Sequence, residues 1–148
     1  MTDPSLFLSP VPRPVRRLFS AWFLVGLFLV SCQSEEEIKN QQYFVEGMDR
    51  YQQHCANCHQ PDGRGLAQLY PPLVGSQLLQ DPAALACAMR YGLRQDTLSG
   101  YAQPMPANEQ LRELDLAEIA TYVRMKWGGA KVRTTIPEVR QALRGCAR

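Results

Sequence analysis

The apolar residues of the chain recur mainly with the three-to-four spacing of an amphipathic helix, and no alternating run is long enough to predict a β-strand. The most regular segment spans residues 116–127. Its apolar face comprises Leu116, Ile119, Ala120, Val123 and Trp127. Weaker patterns predict three further helices, at about 41–56, 82–91 and 136–144. The expected fold class is therefore all-α.

Capping chemistry marks several of the predicted helix ends. Asp81 precedes Pro82, and Gly92 follows the last turn, as in a helix with an N-cap, a first-turn proline and a terminating glycine. Two other pairs have the spacing of a capping box: Asp115 with Glu118, and Thr135 with Glu138. These residues sharpen the ends of the second, third and fourth helices.

Long stretches rich in proline and glycine, at 61–76 and 93–110, separate the helices. Connections of this length are unusual in a compact domain unless they serve a site. About 100 residues divided in this way bury only a thin core of their own. We therefore expect the loops to enclose a large apolar group.

The first 31 residues have the pattern of a secretory signal rather than of a folded element. Basic residues at 13, 16 and 17 precede an apolar run of 13 residues, 18–30, and small Ser31 follows. The run is too short for a membrane-spanning helix, which needs about 20 residues. An uncleaved signal anchor is the alternative.

The tetrapeptide Leu29-Val30-Ser31-Cys32 resembles the lipobox of bacterial lipoproteins. The resemblance implies a diacylglycerol on the Cys32 thiol and cleavage just before it. We then expect a removed leader at 1–31, a polar lipidated tether at 32–40, and a domain at 41–148 with a C-terminal extension from about 130. The expected location is the bacterial cell envelope, with a lipid anchor in a membrane and the domain facing the periplasm or the cell exterior.

The charge balance argues against nucleic acid as the main partner. The chain has 16 Lys and Arg against 14 Asp and Glu, and the leader holds three of the basic and one of the acidic residues. The mature chain therefore has 13 of each and no net charge. A nucleic-acid-binding domain would need an excess of basic residues.

The most specific motif is Cys55-Ala56-Asn57-Cys58-His59, the C-x-x-C-H signature of c-type haem attachment. Two thiols on consecutive turns add to the two vinyl groups at one edge of a porphyrin, and the following histidine supplies a nitrogen ligand to the iron. A thiol–disulfide redox pair would be expected in a βαβ context, and a zinc site would need further clustered ligands. The sequence contains neither a βαβ pattern nor a suitable cluster of further Cys and His residues.

Met105 is the candidate for the second axial ligand. It lies between Pro104 and Pro106 in a predicted loop, where the prolines stiffen the backbone. The remaining methionines of the mature chain are expected in the core: Met48, Met89 and Met125. His54 adjoins the haem motif but leaves the helix on another face, so it is expected in solvent. An exposed loop position is the alternative for Met105.

The whole mature region resembles a small class I c-type cytochrome, close to the single-haem domains grouped with oxidase-linked cytochromes. Besides the haem motif, the matching segments are 46–51, 62–65, 70–75, 100–107 and 118–128. The resemblance implies a cytochrome c fold, with three core helices around one covalently bound haem and a short C-terminal helix. It also implies that the first and third helices cross at Gly47, against Tyr122.

The resemblance assigns roles to several further residues. The carbonyl of Pro71, with Pro72 in reserve, is expected on the second ring nitrogen of the proximal histidine, His59. Tyr101 and Trp127 are expected to pack on the haem, with ordinary core packing as the equal alternative. Asn108 departs from the pattern, which usually has an aromatic or aliphatic residue there.

Cys87 and Cys146 are the two remaining cysteines, and export would place them in an oxidising compartment. We predict a disulfide that fastens the C-terminal extension to the second predicted helix. The alternative is a buried Cys87, with Cys146 free or paired between chains.

These features predict a one-electron carrier whose haem iron cycles between Fe(II) and Fe(III) with His59 and Met105 as ligands. The expected partners are a membrane donor complex or dehydrogenase and a terminal oxidase or reductase. A fixed haem subunit of a membrane respiratory complex is the alternative, followed by a haem peroxidase or sensor. Because both axial positions would be filled, the chain is expected not to be an enzyme.

Overall fold

The computed structural model describes residues 34–94 and 100–146, and the predicted leader with Cys32 lies outside these ranges. Within them the fold is all-α, as the periodicity predicted, and there is no β-strand beyond two isolated bridges. The elements are α1 (Glu35–His54), α2 (Ala56–His59), a 3₁₀ helix (Gln77–Gln80), α3 (Pro82–Tyr91), α4 (Glu113–Trp127) and α5 (Ile136–Gly145). None of the described helices is both long and apolar enough to cross a membrane.

Helix α1 begins at Glu35, so much of the segment interpreted as a polar tether is helical. Three consecutive glutamates stand in its first turn, where negative charge is favourable beside the helix N-terminus. Arg133 reaches back from the C-terminal region and donates to Glu36 at 2.7 Å and to Asn40 at 3.2 Å. The hydrogen bond and charge of Arg133 lower the pKa of Glu36. The tether was predicted from local polarity, which carries no trace of this long-range contact.

The core is organised around the crossing of α1 and α4 at Gly47. A Cβ atom at Gly47 would lie 2.0 Å from the carbonyl oxygen of Glu118 and 2.9 Å from the Cβ of Tyr122. No residue other than glycine permits this separation, so the expected close crossing against Tyr122 is confirmed. The apolar side of α4 behind it is fully buried and includes Leu116, Ile119, Ala120 and Val123.

The start of α4 differs from the expected capping box. The helix begins at Glu113, and Asp115 lies within its first turn instead of preceding it. Its carboxylate accepts the backbone N–H of Arg112 at 2.8 Å and pairs with Arg50 of α1 at 3.0 Å. Glu118 also bonds to Arg50. The two carboxylates therefore join α4 to α1, and the local spacing did not reveal it.

The ends of α3 and α5 agree with the sequence. The Asp81 carboxylate accepts the N–H groups of Ala83 and Ala84 at 2.9 and 3.0 Å, and Gly92 follows the helix with φ +76°. At the start of α5, Glu138 accepts the backbone N–H of Thr135 at 2.6 Å. These caps fix the ends of two helices that pack on one another.

A disulfide joins α3 to the end of α5. It links Cys87 to Cys146, which is 59 positions later in the sequence, and the two Cα atoms are 5.7 Å apart. The C-terminal extension therefore lies against α3, and Val139 of α5 is buried there.

Candidate functional site

One apolar cavity of about 370 Å³ lies among the helices and the two proline-rich loops. Its walls come from the end of α1, from α2, from α3 and from α4, and from residues 70–73, Ser76, Leu78, Leu93 and 103–106. Four of the residues with predicted haem chemistry line it: Cys55, Cys58, His59 and Met105. The fold thus brings the haem motif and Met105 to one cavity, although Met105 is 46 positions after His59 in the sequence.

The two motif cysteines form no disulfide and are held by the turn between α1 and α2. The N–H groups of Cys58 and His59 both bond to the carbonyl of Cys55, at 3.1 and 2.9 Å. Burial raises the pKa of the Cys55 thiol to about 12, and the nearby Cys58 contributes in the same direction. A reactive redox cysteine has a depressed pKa, so the site does not resemble that of a thiol–disulfide oxidoreductase.

The imidazole of His59 is oriented by a backbone carbonyl. Its Nδ1 atom lies 3.0 Å from the carbonyl oxygen of Pro71. Burial lowers the pKa of His59, and the bond to Pro71 only partly opposes this shift. The ring is therefore neutral at physiological pH, and the Pro71 bond makes Nδ1 the protonated nitrogen, which leaves Nε2 free to coordinate a metal.

Gly65 allows the Pro71 carbonyl to come this close. Its φ is +68°, and a Cβ atom there would lie 2.3 Å from the carbonyl oxygen of Tyr70 and 2.8 Å from that of Pro71. The N–H of Gly65 also bonds to the carbonyl of His59 at 2.9 Å. The loop after the haem motif therefore folds back directly onto its histidine.

The methionines do not all lie where the sequence predicted. Met105 is half-buried in the cavity wall, and Met89 is buried on α3 as expected but also lines the cavity. Met48 was expected in the core and is 37% exposed. Helical spacing cannot distinguish a residue that faces a cofactor cavity from one that faces the core.

Neither aromatic residue expected to pack on the haem lines the cavity within the part of the chain described here. Trp127 instead packs edge-on against Tyr51 and Tyr122, at centroid distances of 5.3 and 5.5 Å. Tyr51 does line the cavity, and its hydroxyl donates to the carbonyl of Gln60 at 2.6 Å. Tyr51 was expected only as part of the first predicted helix and of the matching segment 46–51, and its place in the cavity wall was not predicted. His54 is exposed, as predicted.

The donor set fits a covalently attached haem. Two thiols, a neutral imidazole with one free nitrogen and two thioethers surround a cavity whose other walls are almost entirely apolar. Elsewhere in the two described ranges, no group of three His, Cys, Asp or Glu side chains has the arrangement of a metal site. A zinc site therefore lacks partners in this part of the chain.

Comparison with known proteins identifies the family. A sequence model described as cytochrome c oxidase, cbb3-type, subunit III matches residues 44–123. The chain belongs to this family. Its matched region includes the haem motif, the Pro71 loop, Met105 and most of α4.

Individual relatives are similar over the same region. Cytochrome c-552 of Thermus thermophilus is 32% identical over 95 residues, which cover 59% of this chain and 72% of that protein. Cytochrome c-554(548) of Halomonas halodenitrificans is 35% identical over 68 residues, or 46% of this chain and 78% of that protein. The cytochrome c subunit of the quinone alcohol dehydrogenase of Gluconacetobacter polyoxogenes is 32% identical over 89 residues, or 57% of this chain. The match spans only 19% of that subunit.

The family match and these relatives identify the folded region as a class I c-type cytochrome domain. Proteins of this class are electron-transfer haem proteins with covalently bound haem c, and the predicted fold class agrees with the helical structure.

Proposed function

We propose that the chain is a one-electron carrier with one haem c. Cys55 and Cys58 would hold it through thioether bonds, and His59 and Met105 would supply the axial ligands. The observation that carries the proposal is that all four side chains line one apolar cavity, with the histidine already oriented by Pro71. When bound, the haem supplies the Fe(II)/Fe(III) couple.

The residues of the chain favour electron transfer over substrate chemistry. His59 and Met105 both line the cavity, and with these two side chains as ligands a bound haem would have no coordination site left for a substrate. The apolar walls exclude water, which disfavours the more highly charged ferric state and so raises the reduction potential. The Pro71 carbonyl keeps the imidazole in one tautomer and orientation.

The proposed partners are redox proteins of the bacterial envelope. One relative is named as the cytochrome c subunit of a quinone alcohol dehydrogenase, which supports a dehydrogenase as electron donor. A terminal oxidase or reductase is the proposed acceptor. Because that relative is a subunit, a fixed place in a membrane complex is the second candidate.

We further propose that a lipid on Cys32 anchors the protein to a membrane. This proposal rests on the lipobox-like sequence before Cys32. An acylated N-terminus would keep electron exchange close to the bilayer. Mass spectrometry of the N-terminal peptide should find Cys32 as the first residue of the mature protein, with a diacylglycerol on its thiol. An unmodified Cys32 that still follows the leader would contradict the lipid anchor.

The axial ligand is tested by two matched variants in the holoprotein, Met105→Leu and Met89→Leu. Both replace a methionine of the cavity wall with a side chain of similar volume. Met105→Leu should abolish the weak near-infrared band of methionine-bound ferric haem and lower the reduction potential, whereas Met89→Leu should preserve both. The reverse result would make Met89 the ligand. A wild-type protein without the band would favour a peroxidase or sensor.

A further inference from the structure

The end of α3 is in unusually close contact with the backbone of the Met105 loop. Gly92 follows α3 with φ +76°, and a Cβ atom there would lie 2.3 Å from the carbonyl oxygen of Met105. The same atom would lie 2.9 Å from the backbone of both Pro106 and Ala107. A side chain at this position is therefore excluded twice, by the backbone conformation and by the loop.

Two hydrogen bonds fix Met105 itself beside this contact. The N–H of Leu93 donates to the carbonyl of Met105 at 2.9 Å, and the N–H of Met105 donates to the carbonyl of Leu93 at 3.0 Å. The side chains of both residues line the cavity. The backbone of Met105 is thus held on both its donor and its acceptor side by the residue next to Gly92.

Asn108 completes the contact on the far side of Pro106. Its backbone N–H donates to the carbonyl of Met89 at 3.2 Å. Its side-chain amide lies 3.4 Å from the carbonyl oxygens of both Met89 and Pro106. The amide therefore joins α3 to the loop, which gives a role to a residue that departs from the family pattern.

We propose that Gly92 is a positioning residue for Met105, assisted by Asn108, and that the end of α3 holds the thioether in the haem cavity. The inference rests on the proposed ligation by Met105. Other bonds, from Ala102 to Gln68 and from Gln103 to Leu69, restrain only the segment before the methionine. The contacts at Gly92, Leu93 and Asn108 act on Met105 and the residues that follow it.

The test compares Gly92→Ala with Gly129→Ala in the ferric holoprotein. Gly129 has nearly the same backbone angle, φ +75°, but a Cβ atom there would contact nothing within 4 Å. Both variants therefore carry the backbone strain, and only Gly92→Ala displaces the loop. The readouts are the near-infrared methionine band, the affinity for added imidazole and hydrogen exchange at the Met105 amide.

In Gly92→Ala, added imidazole should bind the haem iron at least about tenfold more tightly, because Met105 in a loosened loop competes with it less well. The methionine band should weaken, and the Met105 amide should exchange faster. Gly129→Ala should resemble the wild type in all three. Equal behaviour of the two variants would overturn the proposal. If the wild type lacks the methionine band, the ligation itself fails, which is a distinct outcome.

If Gly92→Ala does not fold, Asn108→Leu tests whether the contact with α3 positions Met105. This variant removes the amide contacts and keeps a residue of similar size. It should increase the affinity for imidazole about fivefold, as expected for the loss of hydrogen bonds of ordinary strength. An unchanged affinity and an unchanged exchange rate at Met105 would then overturn the proposal.

Discussion

The Nδ1 atom of His59 lies 3.0 Å from the carbonyl oxygen of Pro71. This bond joins the haem motif to a loop that begins only a few residues later, and it determines which ring nitrogen remains free. A carbonyl acceptor also makes the imidazole a stronger donor through its other nitrogen. The relationship therefore affects both the orientation of the proposed ligand and the electronic properties of the iron.

Gly65→Ala should weaken this bond and raise the reduction potential. The added Cβ atom would lie 2.8 Å from the Pro71 carbonyl oxygen, so the loop must move. A weaker imidazole donor stabilises ferric iron less, and a tenfold change in relative affinity corresponds to about 60 mV. Potentiometric titration of the holoprotein measures the shift.

Gly75→Ala is the control for that experiment. Gly75 has φ +78°, but a Cβ atom there would have no neighbour within 4 Å. It should leave the potential within experimental error of the wild type. A similar shift in both variants would mean that backbone strain, and not the Pro71 contact, changes the potential.

Gly47→Ala should be strongly destabilising. The new Cβ would lie 2.0 Å from the Glu118 carbonyl, so α1 and α4 must separate at their closest point. Overpacking at a helix crossing lowers the free energy of unfolding by about 1–3 kcal/mol or more. Denaturant unfolding gives the loss, and Gly145→Ala, whose Cβ would meet nothing within 4 Å, serves as the control. Equal stability of the two variants would contradict the close crossing.

The elements that the sequence predicted well are those set by local chemistry. The Asp81 cap and the Thr135 and Glu138 pair depend on a few neighbouring residues with narrow structural roles, whereas the close crossing at Gly47 was expected from the family resemblance. The haem motif is also set by local chemistry, because its spacing is imposed by the cofactor.

The features that were missed depend on partners distant in sequence. The start of α1 was assigned to a tether because nothing near Glu36 indicates that Arg133, 97 residues away, binds it. Asp115 was expected at the N-cap of α4, whereas it is the third residue of the helix, where it accepts the N–H of Arg112 and also pairs with Arg50 across the core. Tyr51 and Met89 have ordinary helical spacing, so their place in the cavity wall follows only from the fold.

Removal of the Cys87–Cys146 bond should lower stability without changing the haem site. The bridge closes a segment of 59 residues, and typical disulfides contribute about 2–4 kcal/mol. The double variant Cys87→Ser, Cys146→Ser should unfold at lower denaturant concentration and keep the spectrum of the wild type. Mass spectrometry without reductant should find no alkylatable thiol at either position in the wild type. Two reactive thiols there would contradict the bond.

Arg50→Met should destabilise the protein at neutral pH and much less in acid. Arg50 pairs with Asp115 and Glu118, whose side chains are only 8% and 7% exposed. Burial alone would raise the pKa of Asp115, but its bonds to Arg112 and the charge of Arg50 outweigh burial and lower it from 3.8. Loss of Arg50 leaves the buried carboxylates of Asp115 and Glu118 with less compensating positive charge. This should lower the free energy of unfolding by about 1–3 kcal/mol at pH 7.

The pH dependence follows from the sign of that shift. A carboxylate whose pKa is lowered by folding stabilises the protein above its unfolded pKa, and this contribution disappears as the pH falls through the folded pKa. The difference in stability between the wild type and Arg50→Met should therefore begin to shrink below about pH 4, near the unfolded pKa, and shrink further as the pH falls through the lower folded pKa. Arg64→Met removes an exposed pair with Asp62 at 3.5 Å and should change stability by less than about 0.5 kcal/mol at either pH. A difference between wild type and Arg50→Met that stays constant down to pH 3 would show that Arg50 acts by packing, since packing does not titrate.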